Sequence, residues 1–95
     1  MESLKPEVTH NESSRRFEAN VDGLLCRCDY RMHGDTMMLV HTEVPPQLEG
    51  RGIASLLVHA AFDHARRNGW DVLPVCSYVR AWVRRHPEVE PLLAG

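Results

Sequence analysis

Apolar and polar residues alternate along the first half of the chain, and the period then changes. Phe17, Ala19 and Val21 are interleaved with Arg16, Glu18 and Asn20. A period of two predicts a half-buried strand over residues 15–21. Asp22-Gly23 supplies a tight hairpin turn. The clearest alternation follows over 24–33. Leu24, Cys26, Cys28, Tyr30 and Met32 fall on one face, and Leu25, Arg27, Asp29, Arg31 and His33 on the other. Gly34-Asp35 is a second turn signal. Residues 36–44 predict a third strand, with Met38, Val40, Thr42 and Val44 on one side and Met37, Leu39, His41 and Glu43 on the other. Three strands joined by short turns form an antiparallel meander.

Pro45-Pro46 stops the third strand, because proline cannot donate to a ladder. The period then becomes helical. Ile53, Leu56, Leu57, Ala60, Ala61 and Ala65 recur at helix spacing, and Val58 and Phe62 widen the apolar face. The helix begins near Gly52, and Asn68-Gly69 is a C-terminal stop. Residues 70–76 read as a short strand, parallel to the third through the helical crossover. Pro74 gives it an edge position or a bulge. Ser77 is expected to cap a second helix over 78–86, which Pro87 ends. Residues 1–13 hold few large apolar side chains and read as a flexible leader. Residues 14–95 then form one domain of order β-β-β-α-β-α. The expected class is α+β, with a mixed, mostly antiparallel sheet.

With 95 residues, the chain has room for one small core. Its net charge of −2 gives no general reason to expect nucleic-acid binding. No apolar run reaches the length of a membrane span, and no signal-peptide core is seen, so a cytoplasmic location is expected. Three cysteines, an odd number, suit reduced thiols. Cys26 and Cys28 are spaced C-x-C, with no second pair of Cys or His at zinc-finger spacing, so no metal is expected. An exposed sheet edge allows a monomer or a weak homodimer.

The chemical signal is Glu49-Gly50-Arg51-Gly52-Ile53-Ala54, between a strand and a helix. Closely spaced glycines at such a passage let several N–H groups point into one concavity at the positive end of the helix dipole. That arrangement suits a phosphate or pyrophosphate. A third glycine is missing and the preceding sheet is antiparallel, so this is not a Rossmann fingerprint. No Gly-Lys-Ser/Thr ends the stretch, so it is not a P-loop.

Residues 44–58 resemble the acetyl-CoA-binding motif of the GNAT N-acetyltransferase superfamily. That motif runs Gln/Arg-x-x-Gly-x-Gly/Ala and is matched by Glu49, Gly52 and Ala54, with Glu49 departing from the usual Gln or Arg. The whole chain is similar to a compact subgroup of minimal GNAT-like proteins, through Gly34-Asp35-Thr36, His41-Thr42-Glu43-Val44-Pro45-Pro46, Gly50-Arg51-Gly52-Ile53-Ala54, Pro74-Val75-Cys76 and Arg84-Arg85-His86-Pro87. The resemblance implies an acyl-CoA N-acyltransferase fold without the N-terminal helices of larger relatives. It also implies acetyl-CoA as co-substrate and an amine acceptor that the sequence does not identify. The third strand and the strand ending at Cys76 would splay. The pantetheine arm would bond to the backbone near Thr42 and Val44. The pyrophosphate would rest on N–H groups from Leu48, Glu49, Gly50, Arg51, Gly52, Ile53 and Ala54. An N–H near Val44 would polarise the thioester carbonyl. Arg84 and Arg85 would either meet the 3′-phosphate of CoA or form a solvated helix end.

Acetyl transfer to an amine needs a base and an acid for the departing thiolate. Glu43 and His41, about 7 Å apart along one strand face, are candidate bases. Each also reads as an ordinary strand side chain. Cys76 precedes a helix N-terminus, which lowers a thiol pKa. It is a candidate nucleophile or acid, or a small buried residue. Tyr78 is a further candidate acid, or a half-buried helix residue. The expected activity is therefore N-acetyl transfer by direct attack in a ternary complex. The alternative is a non-catalytic acyl-CoA-binding or interaction module.

Overall fold

The computed structural model describes residues 5–95. Five strands form one sheet in the order β1-β2-β3-β4-β5. They are β1 (Thr9–Asn11), β2 (Arg16–Val21), β3 (Leu24–His33), β4 (Thr36–Glu43) and β5 (Asp71–Pro74). Strands β1 to β4 pair antiparallel, and β5 runs parallel to β4. The connection between β4 and β5 contains α1 (Ile53–Asn68). After β5 come α2 (Ser77–Arg84) and a 3-10 turn, Pro87–Leu92. The α+β class, the three-strand meander and the parallel crossover strand are all as the residue pattern predicts.

The hairpins form where the turn chemistry allows. Asp22 and Gly23 both have positive φ (53° and 77°), the combination that matches the twist of a two-residue hairpin. Helix α1 stops at Gly69, whose φ of 72° lets its own N–H and that of Trp70 return to the carbonyls of Arg66 and Ala65.

Two elements differ from the sequence reading. Of the leader expected through residue 13, residues 1–4 lie outside the described residues, while Thr9–Asn11 pairs with β2 through His10↔Phe17. Three residues are too few to show a period, so β1 had no pattern of its own. Cys76, not Ser77, is the N-cap of α2, and Ser77 is its first helical residue. Pro74 ends the edge strand β5. Beyond it, the Ala94 N–H donates to the Val72 carbonyl (2.8 Å), so the C-terminal tail covers part of that edge.

The core lies between one face of the sheet and the two helices. Phe17, Ala19, Cys26, Cys28, Tyr30, Met37 and Leu39 come from the sheet. They meet Leu57, Val58, Ala61, Phe62 and Ala65 of α1, with Val79 and Trp82 of α2. Trp82 is fully buried and stacks on Phe62 (centroids 5.4 Å apart, 17° between planes). Such a pair contributes ~0.5–1.5 kcal/mol beyond its area, and it locks α2 onto α1. The other sheet face is polar and carries ion pairs of Arg27 with Asp29 (3.2 Å) and with Glu43 (3.2 Å). Among the described residues no helix is long and apolar enough to cross a membrane.

Candidate functional site

The site starts from an irregularity in β4. Tyr30 pairs with Leu39, but the next residue of β3 toward its N-terminus, Asp29, pairs with His41. Val40 is the extra residue of a β-bulge, and a bulge re-aims everything after it. Before it, Met37 and Leu39 point into the core. After it, Thr42 pairs with Cys28 on the core face, while His41 and Glu43 are exposed beside Asp29 and Arg27 on the polar face. The sequence reading put His41 and Glu43 on one face with Met37 and Leu39. They do share a face with each other, but not with those two, because uninterrupted alternation was carried through the bulge.

The bulge also parts β4 from β5. Their ladder ends at Leu39↔Pro74. The Leu39 carbonyl accepts from both Val75 (3.0 Å) and Cys76 (2.9 Å), and the chain then turns into α2. Strand β4 continues to Glu43, paired only with β3. The gap opens into a cleft of ≈ 430 Å³.

Thr42, Glu43 and Val44 form one wall of the cleft, and Tyr78 of α2 also faces it. Leu48, Glu49, Gly50 and Gly52 line the connecting loop, and Ile53, Ala54 and Ser55 bring in the first turn of α1. Gly50 and Gly52 have φ of 86° and 78°, with open space where a Cβ would stand. Backbone conformation, not crowding, is what calls for glycine at both positions. Helix α1 has no side-chain cap and no acidic residue in its first turn. Its first intrahelical bond runs from the Leu56 N–H to the Gly52 carbonyl. The N–H groups of Ile53, Ala54 and Ser55 therefore lack intrahelical acceptors. They belong to residues lining the cleft at the positive end of the helix dipole. This donor set fits an anionic phosphate. Glu49, at the loop end of the cleft, and Glu43, on its strand wall, bring negative charge that opposes it.

Five of the sequence candidates stand elsewhere. Arg51 turns away to Asp22 in the β2–β3 turn (3.3 Å). Arg84 and Arg85 close α2 and do not line the cleft. Cys76 lies behind the wall, with its thiol 3.7 Å from the Thr42 hydroxyl. His41 is outside the cleft but reaches it through Glu43: its Nε2–H donates to Glu43 Oε1 (3.1 Å). Ser55 was not foreseen. Its Oγ accepts from the buried Trp82 Nε1–H at 2.9 Å, a contact between two helices that no local spacing records.

The electrostatics sort the candidates further. The His41 hydrogen bond and the nearby Arg27 guanidinium hold the Glu43 carboxyl below its ordinary pKa. Glu43 is thereby a weaker base and a firmer anchor for the imidazole. Burial pushes the Cys76 thiol up, but the N–H groups of Val79, Tyr78 and Thr42 and the Thr42 hydroxyl together outweigh it, so its pKa is lowered. The thiol is an N-cap without a formed capping hydrogen bond, so the helix start acts on it as a field. Cys28, on the other side of Thr42, is pushed up to about 12 by burial. Burial also raises the Tyr78 phenol, against the opposing charge of Arg85, so it stays protonated in the cleft.

A family model for the GCN5-related N-acetyltransferases matches residues 16–92. The chain belongs to that family. It is 34% identical over 83 residues to Protein NATD1 of Xenopus tropicalis, covering 84% of this chain and 76% of that one. It is 32% identical over 83 residues to Protein NATD1 of Homo sapiens, covering 84% and 74%. The solution structure of a GCN5-like protein from Staphylococcus aureus superposes with a TM-score of 0.75, at 24% identity, over 94% of this chain and 88% of that one. That likeness establishes a shared fold. The family match spans the bulged strand, the cleft loop and the Cys76 turn, so the cleft is part of the GCN5-related domain itself.

Proposed function

We propose that the protein binds acetyl-CoA in the β4–α1 cleft and transfers the acetyl group to an amine. One observation carries this reading. The uncapped start of α1, entered through two left-handed glycines, opens into the same cleft as the β4 edge that β5 has left unpaired. The first feature suits a pyrophosphate, and the second suits an extended amide-bearing arm that pairs as a strand would. Family membership supports both assignments.

Bound acetyl-CoA would supply the thioester. The backbone around Gly50 to Ala54 holds the anionic end, and the free edge of Thr42 to Val44 orients the arm. The Val44 N–H is the donor toward the thioester carbonyl oxygen, where negative charge develops. Tyr78 keeps its proton in the cleft and donates it to the leaving sulfur. The base is the His41–Glu43 pair. Glu43 fixes the ring by accepting from Nε2–H, leaving Nδ1 as the lone-pair nitrogen that takes the ammonium proton through water. Cys76, whose thiol meets the Thr42 hydroxyl behind the wall, makes no covalent bond to the acetyl group. Three free thiols support a reducing, cytoplasmic setting.

The test is a thermal-shift titration with acetyl-CoA, followed by a free-thiol assay with a pool of amines, peptides and polyamines. A rise in Tm and amine-dependent release of CoA are expected. A rise in Tm with no amine-dependent release would leave only an acyl-CoA-binding module. No rise would remove both.

A further inference from the structure

Two histidines and a glutamate, distant in sequence, meet on a surface that forms no part of the cleft. His59 is on α1, His86 follows α2, and Glu88 is in the last 3-10 turn. One donor atom from each lies within 4.8 Å of the others. The arrangement is more ordered than a chance meeting of exposed side chains. His86 Nδ1 is 2.8 Å from the Trp82 carbonyl oxygen. A carbonyl only accepts, so Nδ1 carries the hydrogen and Nε2 the lone pair. An imidazole N–H donated to a backbone carbonyl is the usual outer support of a metal-binding histidine.

The same tryptophan orients both rings. His86 stacks on the Trp82 indole at 3.7 Å and 11°. His59 stands edge-on to that indole at 5.2 Å and is 5.6 Å from the His86 ring. Trp82 is itself fixed by its bond to Ser55 and its stack on Phe62. The Val89 N–H donates to the His86 carbonyl (3.0 Å), which sets the turn that carries Glu88.

We propose that His59, His86 and Glu88 bind a transition-metal dication of the zinc type and clip α1 to the C-terminal turn. Two imidazoles and one carboxylate form a donor set for zinc, with one position left for water. Calcium and magnesium, which take oxygen ligands, do not suit it. Tetrahedral ligands ~2.0–2.2 Å from an ion lie roughly 3.4 Å apart. The three donors must therefore close in, and the exposed His59 and Glu88 are free to do so.

The test is calorimetric titration of the full chain with zinc chloride near neutral pH, beside His59→Gln, Glu88→Gln, Cys76→Ser and His64→Gln. His59 is exposed, so its variant folds and keeps the question answerable. Saturable binding of one equivalent is expected. His59→Gln should weaken it by more than the roughly 10–100-fold that an outer-shell change costs, Glu88→Gln should also weaken it, and the other two should leave it intact. In a Trp70→Phe background Trp82 is the sole tryptophan, and copper(II) at this site should quench it. The proposal is overturned if no saturable binding occurs, if His59→Gln binds zinc as the parent does, or if Cys76→Ser or His64→Gln removes the binding.

Discussion

The Thr42 hydroxyl lies 3.7 Å from the Cys76 thiol and 3.8 Å from the buried thiol of Cys28. One side chain thus faces two cysteines of opposite character. The Cys76 pKa is lowered, and that of Cys28 is raised to about 12. Since the thiolate is the nucleophile, iodoacetamide should modify Cys76 with a midpoint below the ordinary thiol value and leave Cys28 untouched in the folded protein. Thr42→Val keeps the β-branched shape and removes the hydroxyl, so the Cys76 midpoint should rise. Peptide mass spectrometry across a pH series reads both. Equal reactivity of the two thiols would contradict this ordering.

Gly52 and Gly69 are left-handed at opposite ends of α1. A residue with a Cβ at that φ costs ~1–2 kcal/mol, so Gly52→Ala and Gly69→Ala should lower Tm by similar amounts. Only Gly52→Ala should also impair CoA binding, because only Gly52 lines the cleft. Thermal shift with and without CoA separates the two effects, and equal CoA responses would detach the cradle from the cofactor.

Ser55 joins the cleft to the core. Its Oγ is the acceptor for the buried Trp82 N–H. Ser55→Ala leaves that donor unsatisfied and should cost ~1–3 kcal/mol, read as a lower denaturation midpoint. Ser55→Thr, which keeps the hydroxyl, should recover most of the loss.

How much of this was legible in the sequence depends on the kind of signal each feature leaves. The hairpins could be placed because Asp22-Gly23 and Gly34-Asp35 carry turn chemistry, and α1 because its apolar face repeats over sixteen residues. The cradle could be placed because glycine itself is the signal. The bulge could not: Val40 is an ordinary strand residue, and its doubling of one register position is a property of the β3–β4 pairing. That one residue misplaced His41 and Glu43 relative to Met37 and Leu39. The cluster of His59, His86 and Glu88 was equally hidden. Its members become neighbours only when Trp82 packs α2 onto α1, and no local spacing records that packing.

The aromatic corner at β1 predicts a pH dependence. His10 stacks on Phe17 at 4.5 Å, bonds Tyr30 (2.6 Å) and lies 4.4 Å from the His64 ring. Burial lowers the His64 pKa below 6.5, His10 and Arg67 lower it further, and Glu12 opposes them. The unfolded chain therefore takes up the His64 proton at a higher pH than the folded one. Stability should be full above about 6.5 and fall on acidification until the folded pKa is passed. His64→Gln should flatten the fall in Tm as the pH drops below about 6.5. An unchanged slope would place the titration elsewhere.

Glu49 gives the sharpest test of the cleft, because there the chain departs from the Gln or Arg of the motif it resembles. Its carboxylate shares the cleft with the N–H groups that start α1. A negative charge at that position competes with a bound pyrophosphate for the same field. Glu49→Gln removes the charge and keeps the shape. The backbone N–H of Glu49, which donates to the Pro46 carbonyl, is unaffected. If an interaction near a helix terminus is worth ~0.3–1 kcal/mol, CoA should bind about two- to five-fold more tightly. The gain should shrink as salt rises, since the charge is near solvent. Calorimetry of CoA binding at low and high ionic strength reads both effects. Weaker binding by Glu49→Gln would mean that the carboxylate takes part in holding the cofactor, and the cradle would then have to be redrawn around it.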